Sequence, residues 1–227
     1  MKRRQWKSGT ALGALIIMSA IAAGARAADE TPQTTPEGME LRQQTKSRIV
    51  YAMPGATLAE YTKVALLDCY VAFAKNWDRD YNRNVQLQNR VNASDMERIK
   101  TAVADEFRKI FTEELEKAGH EVVDYAGDEV LVLRPAIVNL EVTAPDVRSA
   151  AMSRTFVTSA GQMTLFLELY DSATGAIIAR IMDAEVADRG GMGFEANRVT
   201  NRAEADRVLR SWAKELSGHL GEVDLED

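Results

Sequence analysis

Gln162 to Tyr170 reads QMTLFLELY, and its reading decides the fold. Met163, Leu165, Leu167 and Leu169 fall on one side of an extended chain, while Gln162, Thr164 and Glu168 fall on the other. A period of two marks a strand with one buried face. Asp171-Ser-Ala-Thr-Gly175 follows as a turn, and Ala176 to Ala187 runs back as a second extended segment. The two predict a β-hairpin. Upstream, Val130 to Val142 (VLVLRPAIVNLEV) is a long extended segment, apolar on both sides at its start. Pro135 inside it has no amide hydrogen, so an edge or a bulge is expected there. Glu121 to Tyr125 and Lys63 to Asp68 are shorter runs of strand length.

Elsewhere the period becomes helical. From Ser94 to Ala118, Met96, Ile99, Val103, Phe107, Ile110, Phe111 and Leu115 share one face. Ser94 and Glu97 have the spacing of a capping box, and Gly119 supplies a stop. Asn201 with Glu204 opens a second helix, with Ala205, Val208, Leu209, Trp212, Leu216 and Leu220 as its stripe. Such stripes must be buried against a sheet or another helix. The expectation is an α+β fold, an α/β-like sandwich. One mixed sheet of four to five strands would carry two helices mainly on one face, in the order β-α-β-β-β-β-α. This domain is expected over residues 49–222, with an acidic tail at 223–227.

The start of the chain reads as an address. Met1 to Lys7 is basic, Ala11 to Ala25 is an apolar run, and Ala25-Arg26-Ala27 has the form a signal peptidase reads. The run is shorter than the ~20 residues that a spanning helix needs. A cleaved signal peptide over 1–27, cut after Ala27, is therefore expected, and with it a periplasmic protein. Arg3-Arg4 hints at twin-arginine export, although the fuller consensus is not met. No cysteine follows the run, so a lipoprotein is not expected. Residues 28–48 are polar, with Pro32 and Pro36, and read as a flexible linker.

Composition narrows the function. Of the 28 Lys and Arg in 227 residues, five precede residue 28 and no acid does, which leaves 23 positives against 34 acids and a net charge of −11. No basic run is present, so nucleic-acid binding and charge-driven membrane binding are not expected. The single Cys69 excludes an internal disulfide, and it is expected to be buried rather than paired between chains. His120 and His219 both read as solvated helix-end residues. No catalytic constellation emerges, so an enzyme, a cofactor and a metal site are not expected.

The densest unusual segment is Tyr70 to Asn84, YVAFAKNWDRDYNRN. Tyr70, Phe73, Trp77 and Tyr81 lie among Asp78, Arg79, Asp80, Asn82 and Arg83. Placed after the first strand, the segment could be a loop that grips a peptide or a sugar. The alternative is that the aromatics cover an edge of the core while Asp78 and Asp80 pair with Arg79 and Arg83. Asp78-x-Asp80-x-Asn82 opens like a calcium loop, but Arg83 stands where glycine is needed and Asn89 where glutamate is needed. Gly190-Gly191-Met-Gly193 lacks the context of a phosphate loop and reads as a plain loop. Ser149 to Ala160, with Arg148 and Arg154, reads as an exposed loop and a second candidate docking surface.

These residues resemble an uncharacterised bacterial envelope family, domain of unknown function 3313. The resemblance is carried by Tyr51-Ala-Met-Pro-Gly55, Tyr61 to Asp68, Val71 to Asp78 with Arg79 to Arg83, Leu131 to Pro135, and Asn201 to Asp206 with Trp212. It implies a secreted protein of Gram-negative bacteria, often a lipoprotein, with no assigned activity. This chain departs from the lipoprotein form by lacking the acceptor cysteine. More distantly, the element order is similar to small α/β modules of periplasmic assembly proteins, a likeness of fold alone. The expected function is a non-catalytic module that docks another envelope protein or a cell-wall component. The second reading is a small-ligand or carbohydrate-binding protein, or a hydrolase, and the third is self-association through a sheet edge.

Overall fold

The hairpin forms the centre of the sheet in the computed structural model. The structure describes residues 31–143, 155–157, 159–188, 194–196 and 198–220. The expected leader, the Gly190 to Gly193 loop, Arg148, Arg154 and the acidic tail lie outside them. The strands are β1 (Glu40–Gln44), β2 (Arg48–Ala52), β3 (Lys63–Leu66), β4 (Tyr70–Phe73), β5 (Glu121–Val123), β6 (Val130–Val142), β7 (Thr155–Val157), β8 (Ser159–Asp171), β9 (Ile177–Asp188) and β10 (Phe194–Ala196). The helices are α1 (Trp77–Asn84), α2 (Ala93–Lys117) and α3 (Arg198–His219), with a short 3-10 turn at Leu87–Asn89. None of the described helices is long and apolar enough to cross a membrane.

The fold is α+β with a mixed sheet, but the sheet is larger than expected. Eight strands run in the order β1-β2-β9-β8-β6-β3-β5, with β4 also on β6, and β7 pairs with β10 apart from them. With α1 the described helices number three, not two. The missed strands are short or polar, and neither kind shows a long alternation. β1 (ELRQQ) lies inside the stretch expected as a flexible linker. It pairs antiparallel with β2, and Met39 just before it is fully buried, so the fold begins well before Ile49. Part of the expected loop from Ser149 to Ala160 is strand as well, in β7 and the start of β8.

Alternation on β8 holds as read: Met163, Leu165, Leu167 and Leu169 are all buried. They join Leu133 and Ile137 of β6, Phe107, Ile110, Phe111 and Leu115 of α2, and Val208, Leu209, Trp212 and Leu216 of α3 in one core cluster. Fully burying each large side chain contributes about 1.5–3 kcal/mol. The turn between β8 and β9 is closed by Asp171, whose carboxylate accepts from the Thr174 backbone N–H at 2.6 Å.

Pro135 sits in an interior strand, opposite Leu167 of β8. The Leu67 N–H donates to the Leu133 carbonyl at 3.0 Å, so Leu133 turns its backbone groups toward β3. Two residues on, Pro135 faces the same side. There β3 has ended at Leu133 and β4 begins only at Ala136. The missing amide hydrogen therefore falls in the gap between two short partners, a local edge inside the sheet.

α2 is capped two residues earlier than its serine implied. Asn92 is the cap: its side chain accepts from the Asp95 N–H at 3.1 Å, and the Asp95 carboxylate accepts from the Asn92 N–H at 3.1 Å. Glu97 instead pairs with Lys100 at 2.8 Å. The expected stop holds. Gly119 takes φ 93°, and the Gly119 and His120 N–H groups donate back to Glu116 and Leu115, closing a Schellman motif.

Candidate functional site

Tyr70 to Asn84 folds as strand β4 followed by helix α1, and not as a loop. Trp77 and Tyr81 stand one helical turn apart, a spacing that stacks side chains on one face. Phe73 stacks on Trp77 with ring centroids 4.4 Å apart, and Trp77 on Tyr81 at 5.4 Å. Trp77 is only 8% exposed and shares a small second core with Val91, Met96 and Val142. The stack thus covers both faces of the Trp77 ring and one face each of Phe73 and Tyr81. Burial also pushes the Tyr81 hydroxyl above the usual tyrosine range.

An eight-residue helix is marginal by itself, so α1 needs these anchors. Asn82 supplies another. Its side-chain amide donates to the Val91 carbonyl at 2.9 Å and accepts from the Val91 N–H at 2.8 Å. Asn76, left-handed at φ 63°, turns the chain into the helix without capping it.

The charged residues of α1 divide. Asp80 accepts from Arg79 at 3.3 Å and from Arg83 at 3.4 Å, on side chains more than half exposed. Such exposed pairs contribute at most about 1 kcal/mol each. Asp78 was expected to pair too, yet it has no ionic partner among the described residues. The helical backbone also removes the geometry of a calcium loop at Asp78, Asp80 and Asn82. No group of three or more His, Cys, Asp or Glu able to hold a metal occurs among the described residues. Tyr70, at the start of β4, is 65% exposed and is the aromatic of the segment that faces water.

Of the candidate surface residues, Tyr70, Arg79, Asp80 and Arg83 are exposed, Phe73, Trp77 and Tyr81 are structural, and Asn82 clamps the backbone. Arg148 and Arg154 lie outside the described residues. Cys69 is packed against the main core, and burial pushes its thiol up to about 12. A thiol so placed stays protonated and unreactive at neutral pH. His120, just past α2, is half-buried against the Leu220 backbone, and burial lowers its pKa.

Sequence reading missed a second feature, where β6, β8 and β9 lie side by side. A half-open depression of about 330 Å³ is lined there by Ala74, Asn139, Glu141, Gln162, Thr164 and Glu185 among others. It lies where β6 bulges against β8 between Val138 and Glu141, with Asn139 left-handed at φ 53°. Its residues come from strands far apart in sequence, so no local motif announces it. The bulge itself was signalled only by Gly161, whose φ of 148° brings the backbone of Glu141 so close that a Cβ would lie 2.2 Å from the Glu141 oxygen.

No curated protein matches the chain. Among solved structures, a PelC dodecamer from Paraburkholderia phytofirmans in space group P6 is 13% identical over 73% of this chain and 96% of that one, with a TM-score of 0.36. A variant PelC dodecamer in space group C2 gives 14%, 76%, 98% and 0.38. Protein XCC0632 from Xanthomonas campestris, of family model DUF330, gives 14%, 74%, 87% and 0.40. Likeness at this level carries no conclusion about what this chain does. A family model does match, over residues 37–216, and by that match the chain belongs to the family described as a protein of unknown function, DUF3313.

Proposed function

We propose that this chain is a non-catalytic protein of the cell envelope that docks another envelope protein through the outer side of α1 and the exposed Tyr70. The observation that carries the reading is the division of labour within Tyr70 to Asn84. Its buried rings and the Asn82 clamp fix a short helix in place, and Arg79, Asp80 and Arg83 are left in water. A rigid surface that pairs arginine with an exposed tyrosine has the composition of a contact patch. Export rests on the basic start, the apolar run and the Ala25-Arg26-Ala27 cut site, which support a periplasmic location.

Two measurements test this. Cell fractionation should place the protein, cut after Ala27, outside the cytoplasm; an intact leader in the cytosolic fraction would overturn the export reading. Pull-down from envelope extract should lose a specific partner when Tyr70→Ala, Arg79→Glu and Arg83→Glu are combined. These exposed positions leave the aromatic stack intact, so an unchanged partner list would remove the proposed surface.

A further inference from the structure

The face of the sheet turned away from α2 and α3, its uncovered face, carries three rows of side chains set by the strand register. In the middle row Arg134, Glu168 and Arg180 are partners across β6, β8 and β9. Arg180 reaches on to Glu37 at 3.2 Å, so the row runs positive, negative, positive, negative. One step along the strands, Tyr70, Ala136, Phe166, Met182 and Ile49 are partners across β4, β6, β8, β9 and β2. One step the other way, Val123, Ala65, Val132 and Tyr170 are partners. Partners across strands share a face, so an ionic row lies between two mostly apolar ones. Tyr70 is exposed and the other members of its row, apart from no one, are half-buried, which leaves a continuous apolar row in contact with water. Such a row marks a contact surface. Phe166 at its centre is braced by the Arg180 guanidinium, 5.8 Å from the ring centroid.

The charges identify what docks there. Residues 28–227 carry a net charge of −11, so two copies repel over most of their surface. The middle row is neutral. Its inner members, Glu168 and Arg180, are largely buried and engaged with each other, while its ends are open and of opposite sign, Arg134 at 65% side-chain exposure and Glu37 at 42%. A row of this kind is self-complementary: a two-fold rotation about an axis through its middle lays Arg134 of each copy over Glu37 of the other. Size agrees. With about 4.8 Å between strands and about 3.3 Å per residue, the strands from β4 to β2 and the stretch from Thr164 to Tyr170 span roughly 24 Å by 23 Å. Two such faces bury roughly 1,100 Å², which suits a weak, specific dimer.

We propose that a second copy of this chain docks on the uncovered face, the two sheets meeting across a two-fold axis. Contact is made through the face and not through a sheet edge. The proposal does not depend on the docking surface at α1, and its test leaves Tyr70, Arg79 and Arg83 unchanged.

Sedimentation velocity across the micromolar range tests it, on protein purified from cells that express the full chain. Wild type should show a monomer and a dimer in exchange. Phe166→Asp, which sets a charge at the centre of the contact, should raise the dissociation constant at least about tenfold with unchanged circular dichroism. Arg134→Glu alone and Glu37→Arg alone should each weaken the dimer about tenfold, because each sets like charges against one another twice. Mixing those two variants should restore association, since both contacts of the mixed dimer then pair opposite charges. The recovery uses the same two folded variants, so it separates a lost contact from a damaged monomer. Monomer alone at every concentration, an oligomer indifferent to Phe166→Asp, or no recovery on mixing would overturn the proposal. A monomer whose pull-down from envelope extract loses a protein on Phe166→Asp would give the face to a different partner, and would overturn it as well.

Discussion

Asp183 and Glu168 are buried carboxylates on neighbouring strands of one sheet, and they serve its two faces. On the helix-covered face, Asp183 is 2% exposed and accepts from the Trp212 ring N–H at 2.9 Å and from Arg48 at 3.1 Å. Arg48 reaches on to Glu215, so the three charges tie β2 and β9 to α3. On the uncovered face, Glu168 is held by Tyr170 and by two arginines that also meet solvent. The difference lies in water. A carboxylate deprived of partners beneath a helix has no substitute, whereas one on an open face can be rehydrated.

This contrast can be broken at its strongest point first. Asp183→Ala should cost about 2–3 kcal/mol in urea unfolding, because it leaves the Trp212 N–H buried without its acceptor and Arg48 with Glu215 alone. A loss under about 1 kcal/mol would mean that α3 is held by its apolar stripe alone.

Gly161→Ala comes next. The new Cβ would overlap the Glu141 oxygen, and the positive φ is strained for any side chain, so about 1–3 kcal/mol should be lost. Glu168→Gln keeps the shape and removes the charge. It should cost about 1.5 kcal/mol, less than Asp183→Ala, by the same unfolding assay. Equal costs at Asp183 and Glu168 would refute the distinction between the two faces.

What the sequence made legible follows the same division. The helix-covered face was readable because it is apolar and periodic: Met163 to Leu169, the α2 stripe and the α3 stripe all proved to be core. β1 was not readable, since ELRQQ has one large apolar residue and is an edge strand held through its backbone. α1 escaped because its charges mask a spacing that was present, with Trp77 and Tyr81 four positions apart. The depression had no signal, because Asn139, Glu141, Gln162 and Thr164 come together only once β6 and β8 are paired and β6 bulges.

The smallest expected effect concerns the joint between α2 and α3. One carboxylate oxygen of Asp206 is buried there without a hydrogen-bond partner. Burial, with Glu106 nearby, raises its pKa above the usual aspartate range despite Arg202, Lys109 and Arg210. Those three cations are engaged elsewhere: Arg202 and Lys109 with Glu106, and Arg210 with Glu113 and Glu114. An acid that holds its proton more tightly when folded favours the fold below its unfolded pKa, and that benefit is lost as pH rises through the folded value. Asp206→Asn should therefore match wild type in strong acid and become slightly more stable toward neutrality. Thermal melts across that range check the sign, and a stability gap that widens toward acid would contradict it.

The central claim is that α1 is fixed from within so that its outer side can touch another envelope protein. Photo-crosslinking in intact cells tests it, with the probe placed in turn at Arg79 on α1 and at the exposed Glu97 on α2. A discrete adduct from position 79 that is absent from position 97 is the predicted result. The same adducts from both positions, or none from position 79, would contradict it.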